Sequence, residues 1–225
     1  MTPSLPTELL KAIFRYATEA GVDPSLAVTD AKSDWFAKFE EDNLGTMATK
    51  IALTRVSRRF RRISLEFLFE FVSIDKADQA VPLVALMKKQ ASTTAPGPRE
   101  WIKFLCVRCS NTRLVIKIIR LCRSLRGFSW YPTTPSTRRE IEEAAQDELI
   151  NNIPVNIRYL HWNAVLNQAS TFSVFLHKAS ASLQILSIRG IMRNPASGLP
   201  FSHLSFPSLT HFQVEDMYPF RWLDT

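Results

Sequence analysis

Three cysteines offer the first chemistry to weigh. Cys106-x-x-Cys109 followed by Cys122 has the paired opening of a zinc site. A structural zinc site wants four ligands at short paired spacing, and the nearest histidine in the chain is His161. The pattern fits better with Cys106 on a strand and Cys122 on a helix, both as small apolar residues. An odd cysteine count gives no disulfide framework and points to free thiols in a reducing compartment, the cytosol or the nucleus. The six glycines, at 21, 45, 97, 127, 190 and 198, form neither a dinucleotide fingerprint nor a phosphate loop, and none precedes a lysine. There is no Gly-x-Ser-x-Gly elbow, and the four histidines have no spacing that suggests a triad or metal pair. The acids Glu140, Glu142 and Glu143 read as the solvated side of a helix. These residues predict no catalytic centre, cofactor or metal.

Charge is the second candidate chemistry. The formal net charge of +7 is unevenly distributed: residues 1–75 carry 10 Lys/Arg against 11 Asp/Glu, and residues 76–225 carry 18 against 10. Residues 99–126 alone hold Arg99, Lys103, Arg108, Arg113, Lys117, Arg120, Arg123 and Arg126 with one acid, Glu100. A local basic surface is expected there, and nucleic-acid binding or scaffolding through this strip is one functional reading. Its apolar residues recur at helical spacing, however, which favours a core face behind a solvated basic one. Protein partners are therefore the first expectation. No stretch of some 18 apolar residues runs together, and Glu8 and Lys11 interrupt the first apolar segment, so neither a membrane span nor a secretory leader is expected.

The elements that must position these residues begin with two helical stretches. Pro6 fits a first helical turn and Thr7 and Glu8 suit a helix start. Leu9, Ile13 and Ala17, with Leu10 and Phe14 alongside, then form an apolar stripe that should stop at Gly21. A second helix is expected from about Thr46 to Ile63, with Leu53, Val56, Phe60 and Ile63 on its buried face and five arginines largely opposite. Between them lies a segment of acids and aromatics, Asp30 to Asp42 with Trp35, Phe36 and Phe39, to which no pattern assigns a structure.

Leu5-Pro6-x-Glu8-Leu9-Leu10-x-x-Ile13-Phe14 is similar to the opening of the F-box, and Leu53-x-x-Val56-Ser57-Arg58-Arg59-Phe60-Arg61-Arg62-Ile63 resembles its second half. Leu65-x-x-Leu68-Phe69-x-x-Val72-x-Ile74 looks like the exit segment of fungal F-box proteins. The resemblance covers residues 1–74 with an insert at about 22–45, and Ser57 stands where the family often has cysteine. It implies a non-catalytic receptor subunit of a ubiquitin ligase, binding a Skp-type adaptor and through it a cullin scaffold. On this resemblance Leu5, Pro6, Leu9, Leu10, Ile13, Phe14, Val56, Phe60 and Ile63 form the adaptor contact and its support.

From Phe69 onward an apolar pattern at positions one, four and six recurs six times: Phe69/Val72/Ile74, Ile102/Leu105/Val107, Leu125/Phe128/Trp130, Ile157/Leu160/Trp162, Leu183/Leu186/Ile188 and Leu209/Phe212/Val214. The first residues lie 33, 23, 32, 26 and 26 apart, close to the ~20–29-residue period of leucine-rich repeats once two insertions are allowed. One helix is expected at Asn111 to Ser124. Another begins with the capping box Thr137-x-x-Glu140 and carries Ile141, Ala145 and Leu149 on its stripe. Alternating strand and helix at this period predicts a mixed α/β fold, with residues 75–225 forming a short, irregular solenoid of parallel strands. The array resembles degenerate leucine-rich repeats, for Ser110, Thr133, Val165, Ile191 and Met217 stand where the family places asparagine or cysteine. Alternation sends the residues flanking positions four and six to one face. From that face Arg108, Tyr131, Tyr159, His161, Asn163, Arg189, His211 and Gln213 are the candidates for holding a protein target, since arginine and aromatics carry much of the energy of protein recognition.

Overall fold

The computed structural model describes residues 5–18, 35–92, 95–132, 139–164, 169–189 and 204–215. Gly21, Thr137 and the apolar tail from Met217 onward lie outside them. The chain is mixed α/β and has a six-stranded, wholly parallel sheet. The strands β1 (Phe71–Ile74), β2 (Phe104–Val107), β3 (Gly127–Trp130), β4 (Tyr159–Asn163), β5 (Ile185–Arg189) and β6 (His211–Glu215) lie side by side in chain order. Their register aligns Val72, Leu105, Phe128, Leu160, Leu186 and Phe212 in one row, and Ile74, Val107, Trp130, Trp162, Ile188 and Val214 in another. These are the fourth and sixth positions of the six sequence units, so the apolar spacing set the pairing.

On the face that these rows present, α5 (Ala77–Gln90), α7 (Thr112–Leu121), α8 (Arg139–Asn152) and α9 (Ala169–Ala179) pack as the crossovers that parallel strands require. Together they enclose the main core, with Leu105, Phe128, Leu160, Trp162, Val115, Ile118, Leu149 and Phe172 at its centre. Leu149 was expected on the stripe of α8; α5, which contains Pro82, was not anticipated. Its start is capped by Gln79, whose side-chain oxygen accepts from the Asp75 and Lys76 amides at 2.8 and 3.2 Å. Asn111 caps α7, accepting from the Leu114 amide at 3.2 Å. The four-residue α6 (Pro98–Trp101) precedes β2.

The N-terminal part holds α1 (Thr7–Ala17), α2 (Trp35–Gly45), α3 (Met47–Val56) and α4 (Arg58–Glu70). The single helix expected from Thr46 to Ile63 is in fact two. Ser57 is extended, with φ −161° and ψ 168°, and its hydroxyl accepts from the Phe60 amide, so it ends α3 and caps α4. A serine competes well for that role, because its side chain satisfies an amide that a new helix leaves free. Leu10 and Phe14 of α1 pack on Ile63 and Phe67 of α4, with Leu53 and Phe60 around them.

Candidate functional site

Helix α2 decides what the sheet can offer a partner. Its Trp35, Phe36 and Phe39 pack on Phe71, Phe104, Cys106, Tyr159 and Ile185, the residues that strand alternation turns away from the main core. Phe36 stacks on the His161 ring at 4.3 Å between centroids and 12° between planes, and Phe39 meets Phe104 at 4.7 Å. The Ser129 hydroxyl lies 2.9 Å from Nδ1 of His161. Glu40 of α2, itself buried, takes a hydrogen bond from the Arg108 guanidinium, which also reaches Asp75 at 3.1 Å. Gly127 gives this packing its room, since a Cβ there would stand 2.1 Å from the Phe104 ring.

The expected target face is accordingly corrected. Alternation assigned the right residues to one side, but α2 rather than solvent covers its centre. Tyr159 and His161 are 4% and 1% exposed and are not available to a partner while α2 is seated. Arg108, Tyr131, Asn163 and Arg189 form the row along the C-terminal edge of β2 to β5, where Tyr131 is exposed and the other three are half-buried. His211 and Gln213 stand half-buried on the last strand.

The residues of the first motif divide by exposure. Leu10, Phe14 and Ile63 are interior and Phe60 is half-buried, whereas Leu5, Pro6, Leu9, Ile13 and Val56 are exposed. Leu9 is 52% and Ile13 is 51% exposed, and their four-residue spacing lays them along one line of α1, continued by Tyr16, while Leu5, also exposed, lies just before the helix. Arg59 donates to the Leu5 carbonyl and so holds the start of α1 beside the α3–α4 corner, where Val56 is also exposed.

A buried ionic cluster joins these helices to the sheet. Glu70, 1% exposed at the end of α4, accepts both guanidinium nitrogens of Arg15 at 2.6 Å and the ammonium of Lys103, while the Lys103 amide donates to the Glu70 carbonyl at 3.0 Å. Burial alone would push the Glu70 carboxyl up, but the Arg15 and Lys103 hydrogen bonds and charges outweigh it and hold the group below its usual value. Lys50 of α3 is buried close by, and desolvation pulls its ammonium down against the attraction of Glu70.

Half of the basic strip is ion-paired. Lys103 bridges Glu70, Arg108 bridges Glu40 and Asp75, Arg120 bridges Glu148, and Arg123 bridges Glu100. Arg113 and Lys117 stand exposed on α7. The three thiols are buried apart from any metal-ligating trio of the described residues, and desolvation pushes Cys106 and Cys122 up to about 12, so both stay protonated. No described helix is long and apolar enough to cross a membrane.

No protein-family model matches the chain, and no curated protein or solved structure matches it either.

Proposed function

We propose that this chain is a non-catalytic substrate receptor of a Skp-cullin-F-box type ubiquitin ligase, with α1 and the α3–α4 corner as the adaptor-docking surface. The observation that carries the reading is the line of Leu9 and Ile13 left exposed on a helix whose other face is already buried, with Leu5 exposed just ahead of it. A helix that keeps large aliphatics in water on its second face is built for an apolar groove on a partner. The similarity of residues 5–63 to both halves of an F-box names that partner as a Skp-type adaptor, which would link the chain to a cullin scaffold. The parallel strands in chain order, with apolar rows in register, support the degenerate leucine-rich-repeat reading of residues 75–225. In that reading the edge row Arg108, Tyr131, Asn163 and Arg189, with His211 and Gln213, holds a protein target.

Such a receptor works by holding its target near a separate transferring enzyme, so what matters is a fixed geometry between its two ends. The Glu70 cluster is suited to supply it. The test is co-purification with a Skp-type adaptor. Leu9→Asp with Ile13→Asp, both at exposed positions, should weaken binding by about thirtyfold or more, as expected for loss of at least one interface anchor. Absence of adaptor binding by the unaltered chain, or undiminished binding by a folded double variant, refutes the reading.

A further inference from the structure

The N-terminal edge of the sheet carries a second polar surface, independent of α1. Arg126 and Arg158 immediately precede β3 and β4 and are in register, since the Arg158 amide donates to the Arg126 carbonyl at 2.7 Å. With Ser124, Asn156, Gln184 and Ser208 they line a groove of about 470 Å³. Both arginines are exposed, and neither has an ion pair or side-chain hydrogen bond among the described residues. This sets them apart from Lys103, one strand earlier in the same row, whose charge Glu70 neutralises.

Like charges directly opposite on neighbouring strands repel and destabilise the pairing. Among the described residues no acid lines the groove to offset that. Two of its serine hydroxyls are already committed: Ser182 donates among the carbonyls of Val155, Ile157 and Ala179 at 2.8–3.0 Å, and Ser208 donates to the Ala181 carbonyl at 3.0 Å. The donors left for a ligand include the two guanidinium groups, the Ser124 hydroxyl and the amides of Asn156 and Gln184. Four strands at ~4.8 Å spacing make the floor about 14 Å across, which matches four or five residues of extended peptide. Among the described residues, the lining includes no aromatic side chain on which a nucleic-acid base could stack.

We propose that this groove binds an acidic peptide segment, with two carboxylates two residues apart, on one face of the extended chain, held by Arg126 and Arg158 and the peptide backbone against Asn156 and Gln184. Arginine is suited to this, because its planar fork meets a carboxylate with two parallel hydrogen bonds. The site does not depend on adaptor docking.

The test is fluorescence anisotropy at low ionic strength with a fluorescein-labelled Gly-Asp-Ser-Asp-Ser-Gly peptide, its analogue with both Asp replaced by Asn, and a labelled RNA oligonucleotide as probes. Saturable binding of the acidic peptide should weaken about tenfold or more in the Asn analogue and in Arg126→Gln with Arg158→Gln. Leu9→Asp with Ile13→Asp should leave it unchanged, and so should Arg113→Gln with Lys117→Gln, which removes the same charge from α7. The unaltered melting temperature of each variant would establish that it is folded. Three results would each overturn the proposal: no saturable peptide binding, equal binding by the Arg126/Arg158 variant, or RNA binding tighter than the peptide and lost in that variant.

Discussion

Replacing Phe36 by alanine tests whether α2 is part of the core or merely rests on the sheet. Phe36 is 5% exposed, stacks on His161 at 4.3 Å and lies 6.3 Å from the Phe104 ring. Losing the buried ring forfeits roughly 1.5–3 kcal/mol of transfer free energy. The cavity that remains and the lost aromatic pairing bring the total for such a truncation to about 3–5 kcal/mol. In a chain of 225 residues each kcal/mol moves the melting temperature by roughly 2–4 °C. At about 4 kcal/mol, a fall of about 8–16 °C follows in a thermal melt followed by circular dichroism. Exposed Lys38→Ala on the same helix should shift stability by no more than about 0.5 kcal/mol. Peptide-resolved thiol labelling supplies a local readout: Cys106, sealed beneath α2, should label faster in the Phe36 variant, while Cys122, in the other core, should change less. A melting temperature within about 2 °C of the unaltered chain, together with unchanged Cys106 labelling, would refute the claim that α2 closes this face.

Two further outcomes follow from the same packing. Because Glu70 is held below the ordinary carboxylate value of about 4.3, its ion pairs stabilise the fold at neutral pH, and that stability is lost as pH falls from about 5 downward through the depressed folded value. Glu70→Gln should lower the melting temperature at pH 7, by about 3–5 kcal/mol of stability, since Arg15 and Lys103 lose their partner, and should flatten the acid limb of a melting-temperature-against-pH profile. Gly127→Val should cost about 1–3 kcal/mol in urea unfolding by driving a side chain into the Phe104 ring, and Phe104→Ala in the same chain should relieve the clash, so that the two costs are less than additive.

Much of the sheet was legible because a repeated apolar pattern fixes register. A slip of one residue would turn Leu105, Phe128 and Leu160 out of the core, so their spacing in the chain already encodes their alignment in space. The division of the two faces was legible for the same reason. What covers the second face was not, because alternation distinguishes two sides of a strand and cannot say whether water or a helix lies beyond. Helix α2 hides its meaning well: Trp35, Phe36 and Phe39 are interspersed with Glu40, Glu41 and Asp42, and the rings they pack on lie as far along the chain as Ile185. The break at Ser57 was masked by arginines on both sides, which are strong helix formers. The exposed line on α1 had been grouped with Leu10 and Phe14, since an apolar residue reads alike whether it faces a core or a partner.

The position of α2 also bears on how the chain is made. Its aromatics emerge from the ribosome before the strands on which they close, and Tyr159 and Ile185 are synthesised more than a hundred residues later. At ~5–20 residues per second that interval is on the order of ten seconds. Throughout it Trp35, Phe36 and Phe39 have at most part of their native seat, Phe71, Phe104 and Cys106, to close on. The acids Glu41 and Asp42, exposed in the finished fold, would then keep that waiting segment from self-association. Folding must run backward along the sequence at this point, with later-made strands completing the seat for a helix made before them.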